Sequence, residues 1–420
     1  MHSTDLNQLK EELETYIHAI DIEIKEIETS KERCDKVVQL YGLNEKINWN
    51  FLNTDTLKYN KFDNKMDFVI GNPPYVRVHN LNEELDSVKE YLFGNGGMTN
   101  LYIVFYEIGL KMLNDTGILT YITPSSFFTS IAGNNMRNYI IDNKLLECLC
   151  DLKHFQPFNA TTYTTIVTLN KSEKFEKVKY YEFDENTLKP YFVEELNISD
   201  YYINNNFYFS KISKLKLLKN IIYNNNVANV FVKNGYATLA DKVFINDFEF
   251  ESKYIIPIVK ASRGKWSKVF YPYDDKANLI EEKDLKKDSI LYNYLLDKKE
   301  TLLKRSIEPG SKSNWFAFGR TQGINDTYKE KISINSLIKE SKDLKIVDVK
   351  AGQGVYSGLY IISDEVSKDE IKKALLDEEF GEYVSLLGKY KSGGYYTFSS
   401  KDVKTYLDYK IGKKGVNNAN

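Results

Sequence analysis

Apolar residues along the first 180 positions alternate between two spacings. Over 23–41 they fall at Ile24, Ile27, Val37, Val38 and Leu40, the three-to-four residue step of a helix face. Residues 7–14 read the same way. The segment 101–113 (LYIVFYEIGLKML) is apolar nearly all round and is ended by Asn114-Asp115. Between these lie short β-branched or alternating runs at 16–22 (YIHAIDI), 47–52, 66–70, 117–123 (GILTYIT), 145–152 and 162–169 (TYTTIVTL), with 127–141 mostly helical. Strands alternating with helices of this length predict an α/β fold built on a parallel, doubly wound sheet. Ligands of such sheets bind beyond the carboxyl ends of the strands. The exceptional residues sit at those ends: Asp21, Asp55, Asn72 and Pro124.

The character changes near residue 185. Residues 191–230 are rich in Tyr and Asn, and 211–223 reads as a single connecting helix. Past 231 the strands are shorter and separated by glycine-containing turns (KNGYAT, GQGVYSG, KSGGYYT). The expectation is a first domain over 1–185, a linker with its helix over 186–230, and a mixed α/β domain over 231–420. The GQGVYSG stretch has the glycines of a phosphate loop, but no helix follows it, so it reads as a hairpin turn.

Composition narrows the classes. A chain of 420 residues is long enough for two domains, each with its own core. With 42% hydrophobic and 28% charged residues it is globular in type, and no apolar run approaches the roughly 20 residues that cross a membrane. The opening MHSTDLNQLKEELE is polar and acidic, unlike a secretory signal or a transit peptide. Cys34, Cys148 and Cys150 make neither a zinc spacing nor an even-numbered framework, which reads as core residues of a reducing cytoplasm. The four histidines lack HExxH-type spacing, so no metal site is expected. The net charge of −2 divides into −7 over 1–175 and +5 over 176–420. Residues 253–268 (KYIIPIVKASRGKWSK) carry five basic residues and no acidic one. That suits a carboxyl-terminal half that meets a polyanion, with a solvated basic face as the alternative.

The sharpest chemistry lies in MDFVIGNPPYVR, residues 66–77. Two prolines stop the strand, since neither has an N–H and both fix φ. Asn72 offers an amide oxygen as acceptor. Rigid prolines leave the local carbonyls free to accept, and Tyr75 adds an aromatic plane. Two acceptors beside such a plane suit a planar group bearing an NH₂. Accepting both amino hydrogens localises the nitrogen lone pair for attack on an electrophile, with no strong base needed beforehand. A turn that merely caps the strand is the alternative.

In this order Asp21, Asp55 in FLNTDTL and Asn72-Pro73-Pro74-Tyr75 resemble the N6-adenine DNA methyltransferases of the TaqI-like, gamma-order type. The likeness continues through NLYIVFYE (100–107), GILTYITPSSFF (117–128) and HFQPFNATTYTTIVTL (154–169). NGYATLADKVF (234–244), WFAFGRTQG (315–323) and KYKSGGYYTFSS (389–400) resemble that family's DNA specificity domain. The resemblance implies a Rossmann-like, S-adenosylmethionine-dependent methyltransferase sheet followed by a mixed α/β target-recognition domain. It implies that Asn72 and the Pro73 carbonyl accept from the target adenine N6, within the rigid frame of Pro74, and that Tyr75 and Phe158 sandwich the flipped base. It implies that Asp21, with Ile22 beside it, binds the cofactor ribose, that Asp55 accepts from the cofactor adenine, and that Phe105 packs nearby. Asp21 capping the next helix and Asp55 closing a turn are the structural alternatives. In the second domain Lys260, Arg263, Arg320 and Lys389 are candidates for contacts to double-stranded DNA.

One part of the family pattern is absent. A glycine-rich cofactor loop should lie about 20 residues before the acidic residue, yet the first glycine is Gly42. The expectation is a sheet without its first strand, which belongs between the strand ending at Asp21 and the strand ending at Asn72. Both neighbours would then leave ladder groups unpaired. An upstream polypeptide that supplies the loop and strand, a truncated product, and a rearranged edge are the three explanations. The implied function is restriction–modification-type methylation of adenine N6, with a non-catalytic DNA-binding subunit as the rival and an RNA or protein-glutamine methyltransferase behind it. No nuclease constellation is evident, so a cognate restriction endonuclease would be another domain or chain.

Overall fold

The computed structural model describes residues 5–78, 85–95, 99–158, 162–306 and 314–414. They form two compact units: Met1–Leu152 with Thr164–Ile198 and Asn205–Phe207, and Lys153–Tyr163 with Ser199–Asn204 and Tyr208–Asn420.

In the first unit, helix α1 (Leu6–Tyr16) leads into strand β1 (His18–Asp21), helix α2 (Ile24–Leu40) and strand β2 (Asn50–Asn53). β1 and β2 pair in parallel as a separate two-stranded sheet. The larger sheet takes β3 (Met66–Gly71), β4 (Leu113–Pro124), β5 (Leu146–Asp151), β6 (Thr164–Asn170), β7 (Lys177–Asp184) and β8 (Lys189–Asn197) in the order β3-β4-β6-β5-β7-β8. β3 with β4 and β5 with β7 are parallel, whereas β6 runs antiparallel between β4 and β5 and β8 is antiparallel to β7. The sheet is therefore mixed rather than uniformly parallel. β8 also carries it past residue 185, into what reads by sequence as linker.

Helices α3 (Leu85–Lys89), α4 (Leu101–Met112) and α5 (Asn134–Asn143) accompany this sheet. α4 is buried nearly all round, as its sequence requires. Its Leu101, Val104, Ile108 and Met112 form one cluster with Leu57, Met66 and Val69, which fixes β3. The helix expected over 127–141 is broken into a 3₁₀ turn, Ser125–Phe128, and α5. The buried Arg137 of α5 explains the break, donating through Nη1 to the carbonyls of Phe127 and Ser130 at 2.5 and 2.9 Å.

The second unit contains the expected connecting helix, Ile212–Ile222, and two four-stranded sheets. One orders Phe231–Asn234, Leu359–Ile362, Lys331–Ile334 and Ile346–Val349. The other orders Ile245–Asn246, Lys265–Phe270, Ile255–Lys260 and Gly354–Tyr356. Gly354–Tyr356 and Leu359–Ile362 thus belong to different sheets, so the stretch after GQG is a corner between sheets and not a hairpin. An aromatic core of Tyr236, Phe244, Phe270, Tyr271 and Phe318 fills the unit. Among the described residues no helix is long and apolar enough to cross a membrane.

Candidate active site

β3 ends at Gly71, and the chain leaves the sheet at once through Asn72-Pro73-Pro74-Tyr75. Asn72 is exposed, and no described residue hydrogen-bonds its side chain. Pro73 beneath it is buried. Tyr75 is half-buried, its hydroxyl donating to the Ile122 carbonyl of β4 at 2.9 Å. Its ring meets Tyr102 edge-on at 6.1 Å and 80°. Tyr102 in turn shares a hydrogen bond with Ser126 Oγ at 3.0 Å, and Tyr106 one with Thr123 Oγ1 at 2.9 Å. Three tyrosine hydroxyls thereby tie the corner and α4 to the end of β4. Burial pushes the Tyr75 phenol up to about 12, so it remains a neutral donor across the physiological range.

A cavity of about 650 Å³ opens beside the corner. Asp21, Ile22, Asp55, Phe105, Asn72, Pro73 and Pro74 all line it, together with Tyr121. The fold thus brings together every sequence-proposed residue of the first unit except Tyr75, which stands behind the prolines against β4. Asp21 Oδ1 accepts from the Glu23 backbone N–H at 2.8 Å. Asp55 Oδ1 accepts from the Leu57 N–H at 3.0 Å, with Lys58 Nζ 3.5 Å from Oδ2. Asp55 therefore does close a turn, whereas Asp21 bonds only the N–H of Glu23, and the N-terminus of α2 has no side-chain cap. A carboxylate has about four acceptor positions, so each keeps capacity toward the cavity. Two carboxylate acceptors between the apolar walls of Ile22 and Phe105 fit the hydroxyl and amine donors of S-adenosylmethionine. Close packing shapes the cavity too, because a Cβ on Gly71 would lie 3.3 Å from the Tyr121 ring and one on Gly109 only 2.6 Å from its hydroxyl. Phe158, 38% exposed, falls in the second unit, and its role as a stacking ring rests on the resemblance.

In the second unit, strand neighbours link two of the four basic candidates. Lys260 pairs with Tyr356, Tyr356 bridges Tyr236, and the adjoining Ala237 bridges Arg320. Arg263 is exposed on the turn between Ile255–Lys260 and Lys265–Phe270, where Gly264 takes a φ of +64°. Lys345 Nζ reaches the Ser262 carbonyl of that turn at 3.4 Å. Lys389 stands apart, ion-paired with Asp402 Oδ2 at 2.5 Å. Sequence reasoning passed over Trp266, 44% exposed beside this turn. Its signal was present, an aromatic residue inside the acid-free basic run.

Residues 4–158 match the family model of the Eco57I restriction-modification methylases. The chain is 27% identical over 332 residues to the type II restriction enzyme and methyltransferase RM.Eco57I of Escherichia coli, covering 65% of this chain and 33% of that protein. It is 25% identical over 371 residues to the type II methyltransferase M.BstVI of Geobacillus stearothermophilus, covering 74% of this chain and 63% of that one. The chain thus spans between a third and two thirds of these relatives. Among solved structures, the type IIL restriction-modification enzyme MmeI in complex with DNA superposes with a TM-score of 0.66 at 13% identity, over 91% of this chain and 54% of that one. This likeness is one of fold.

Proposed function

We propose that this chain is the methyl-transfer and DNA-reading part of a restriction–modification enzyme, acting on N6 of an adenine flipped out of duplex DNA. The observation that carries the reading is the Asn72 amide, unbonded at the carboxyl end of β3 and lining one cavity with Asp21 and Asp55. S-adenosylmethionine is the cofactor, and when bound it supplies an electrophilic methyl group. Asn72 Oδ1 and the Pro73 carbonyl accept the two N6 hydrogens and hold the amine lone pair toward that methyl. The fixed φ of Pro73 and Pro74 keeps the two acceptors in place without reorganisation. Tyr75 gives the base a stacking plane worth about 1–3 kcal/mol, comparable to the few kcal/mol that flipping costs. Asp21 and Asp55 orient the cofactor's sugar and adenine. In the second unit the acid-free turn around Arg263 contacts duplex DNA, which favours DNA over a protein-glutamine substrate.

The test is transfer of a radiolabelled methyl group from S-adenosylmethionine to duplex DNA, by the chain alone and together with a polypeptide encoded upstream. Asn72→Ala should abolish transfer and leave DNA affinity unchanged. Retention of most activity in that variant would refute the role given to the corner. DNA binding without transfer under either condition would instead favour a non-catalytic DNA-binding subunit.

A further inference from the structure

β4 runs parallel to β3 and ends at Pro124, on the edge of the sheet where Asn72-Pro73-Pro74-Tyr75 leaves β3. From there the chain passes through the 3₁₀ turn Ser125–Phe128 and a short loop into α5. The apolar residues Phe127, Phe128 and Ala132 of this passage are buried. Ile131 is not, and stands 84% exposed. A single exposed isoleucine is ordinary on a protein surface. What sets this one apart is how it is held and where.

The buried Arg137 builds the loop from within. Besides the carbonyls of Phe127 and Ser130, it binds that of Asn205 through Nε at 2.8 Å. The Ser130 N–H donates to the Ser126 carbonyl at 3.2 Å, and the Gly133 N–H to Ser130 Oγ at 3.2 Å. A Cβ on Gly133 would lie 2.4 Å from the Phe127 carbonyl oxygen and 2.8 Å from Arg137 Nη1, so the loop closes this tightly only around glycine. A buried guanidinium is costly unless its donors are used. Here they fix the backbone on which Ile131 is carried, while the isoleucine side chain itself adds little to the core. The loop is also tied to the corner, because Ser126 Oγ meets the Tyr102 hydroxyl at 3.0 Å and the Tyr102 ring meets Tyr75 edge-on. Its surroundings suit a polyanion. Within a half of net charge −7, residues 116–141 include no acidic residue. Among the described residues no side chain caps the N-terminus of α5, whose first N–H groups are open to a phosphate.

We propose that Ile131 is a wedge that enters duplex DNA where the target base leaves the stack. The proposal rests on the methyl-transfer reading for its target and supplies a part that reading lacks. Asn72, Pro73 and Tyr75 hold a base once it is out, but none of them occupies the space it vacates. Extruding a base breaks its stacking on both neighbours. An apolar side chain inserted between base steps restores part of that contact and blocks the return path. Isoleucine suits the task, since its branched Cβ leaves few rotamers to freeze. Its exposed surface is buried only on insertion, so the gain is made only with DNA. Arg137 acts through the loop, as a positioning residue.

The test uses the whole chain and a duplex selected by affinity from a random pool, with 2-aminopurine replacing each adenine of the selected site in turn. Binding of wild type, without cofactor, should raise the fluorescence at one position. Ile131→Ala should reduce the extruded fraction about tenfold, and Ile131→Leu should retain it. Both variants should melt with wild type, because the side chain is 84% exposed. On a duplex whose target faces an abasic position, less pairing has to be broken, and Ile131→Ala should match wild type. A residue that merely shaped the loop would show the same defect on both duplexes. The wedge is overturned if Ile131→Ala extrudes the paired base as wild type does, if the abasic partner fails to correct its defect, or if wild type binds without a rise at any adenine. Methyl transfer to the same duplex with adenine restored is read separately. Extrusion that depends on Ile131 without any transfer would sink the transferase reading and keep the wedge, whereas a chain that binds no duplex would overturn both.

Discussion

Tyr75 separates the chemistry of the corner from its architecture, because its ring and its hydroxyl are assigned different tasks. The hydroxyl donates to the Ile122 carbonyl at 2.9 Å and anchors the ring to β4. Removing that bond in Tyr75→Phe costs about 0.5–1.5 kcal/mol of stability, the usual net value of one hydrogen bond. The stacking plane survives, so methyl transfer should fall by less than about tenfold. Tyr75→Ala removes the plane as well. Loss of about 1–3 kcal/mol of base stacking corresponds to roughly 5- to 150-fold in transfer, at 1.4 kcal/mol per tenfold. The phenol stays neutral up to about 12, so the pH profiles of wild type and Tyr75→Phe should superimpose between about pH 6 and 9. The assay is single-turnover methyl transfer to a duplex with adenine at the target position, with a second duplex carrying 2-aminopurine there to report base extrusion. If Tyr75→Phe is as damaging as Tyr75→Ala, or if the two pH profiles diverge, the ring is not the working part and the stacking argument fails.

Three further outcomes are expected. Gly109→Ala would place a Cβ 2.4 Å from Leu119 Cδ1 and 2.6 Å from the Tyr121 hydroxyl. This overpacking should destabilise the first unit by about 1–3 kcal/mol in denaturant unfolding and, through Tyr121, weaken cofactor binding; unchanged stability would contradict it. Burial pushes Lys331 down from 10.5 to about 8, although its ammonium donates to the carbonyls of Asp326, Thr327 and Lys329. Between about pH 8 and 10.5 the unfolded chain then binds more protons than the folded one, so wild-type stability rises with pH relative to Lys331→Met. The penalty is present in full below about pH 8, the rise totals at most about 3 kcal/mol, and a pH-independent difference between the two proteins would exclude the shift. Arg263→Ala with Lys265→Ala should weaken duplex DNA binding across sequences and lower the salt slope by about one for each phosphate no longer neutralised, read by anisotropy titrations at several salt concentrations; an unaltered slope would remove the turn from the interface.

What was legible in the sequence is what local physics decides. Helix α4 and strands β1, β3 and β4 follow from apolar spacing and breakers within a dozen residues. The Pro-Pro corner is as local as structure gets, since two fixed φ angles and two missing donors act wherever the tertiary fold places them. The direction of β6 was not legible. Its residues, Thr164–Asn170, are mostly β-branched and suit either pairing, and no local pattern shows that it inserts between β4 and β5, the two strands before it. Lys389 looked like a free cation because Asp402, its partner at 2.5 Å, is thirteen residues on, across a turn whose geometry no periodicity encodes. Asp21 and Asp55 each spend one lone pair on a nearby backbone N–H, which leaves acceptor capacity on both carboxylates at the cavity they line.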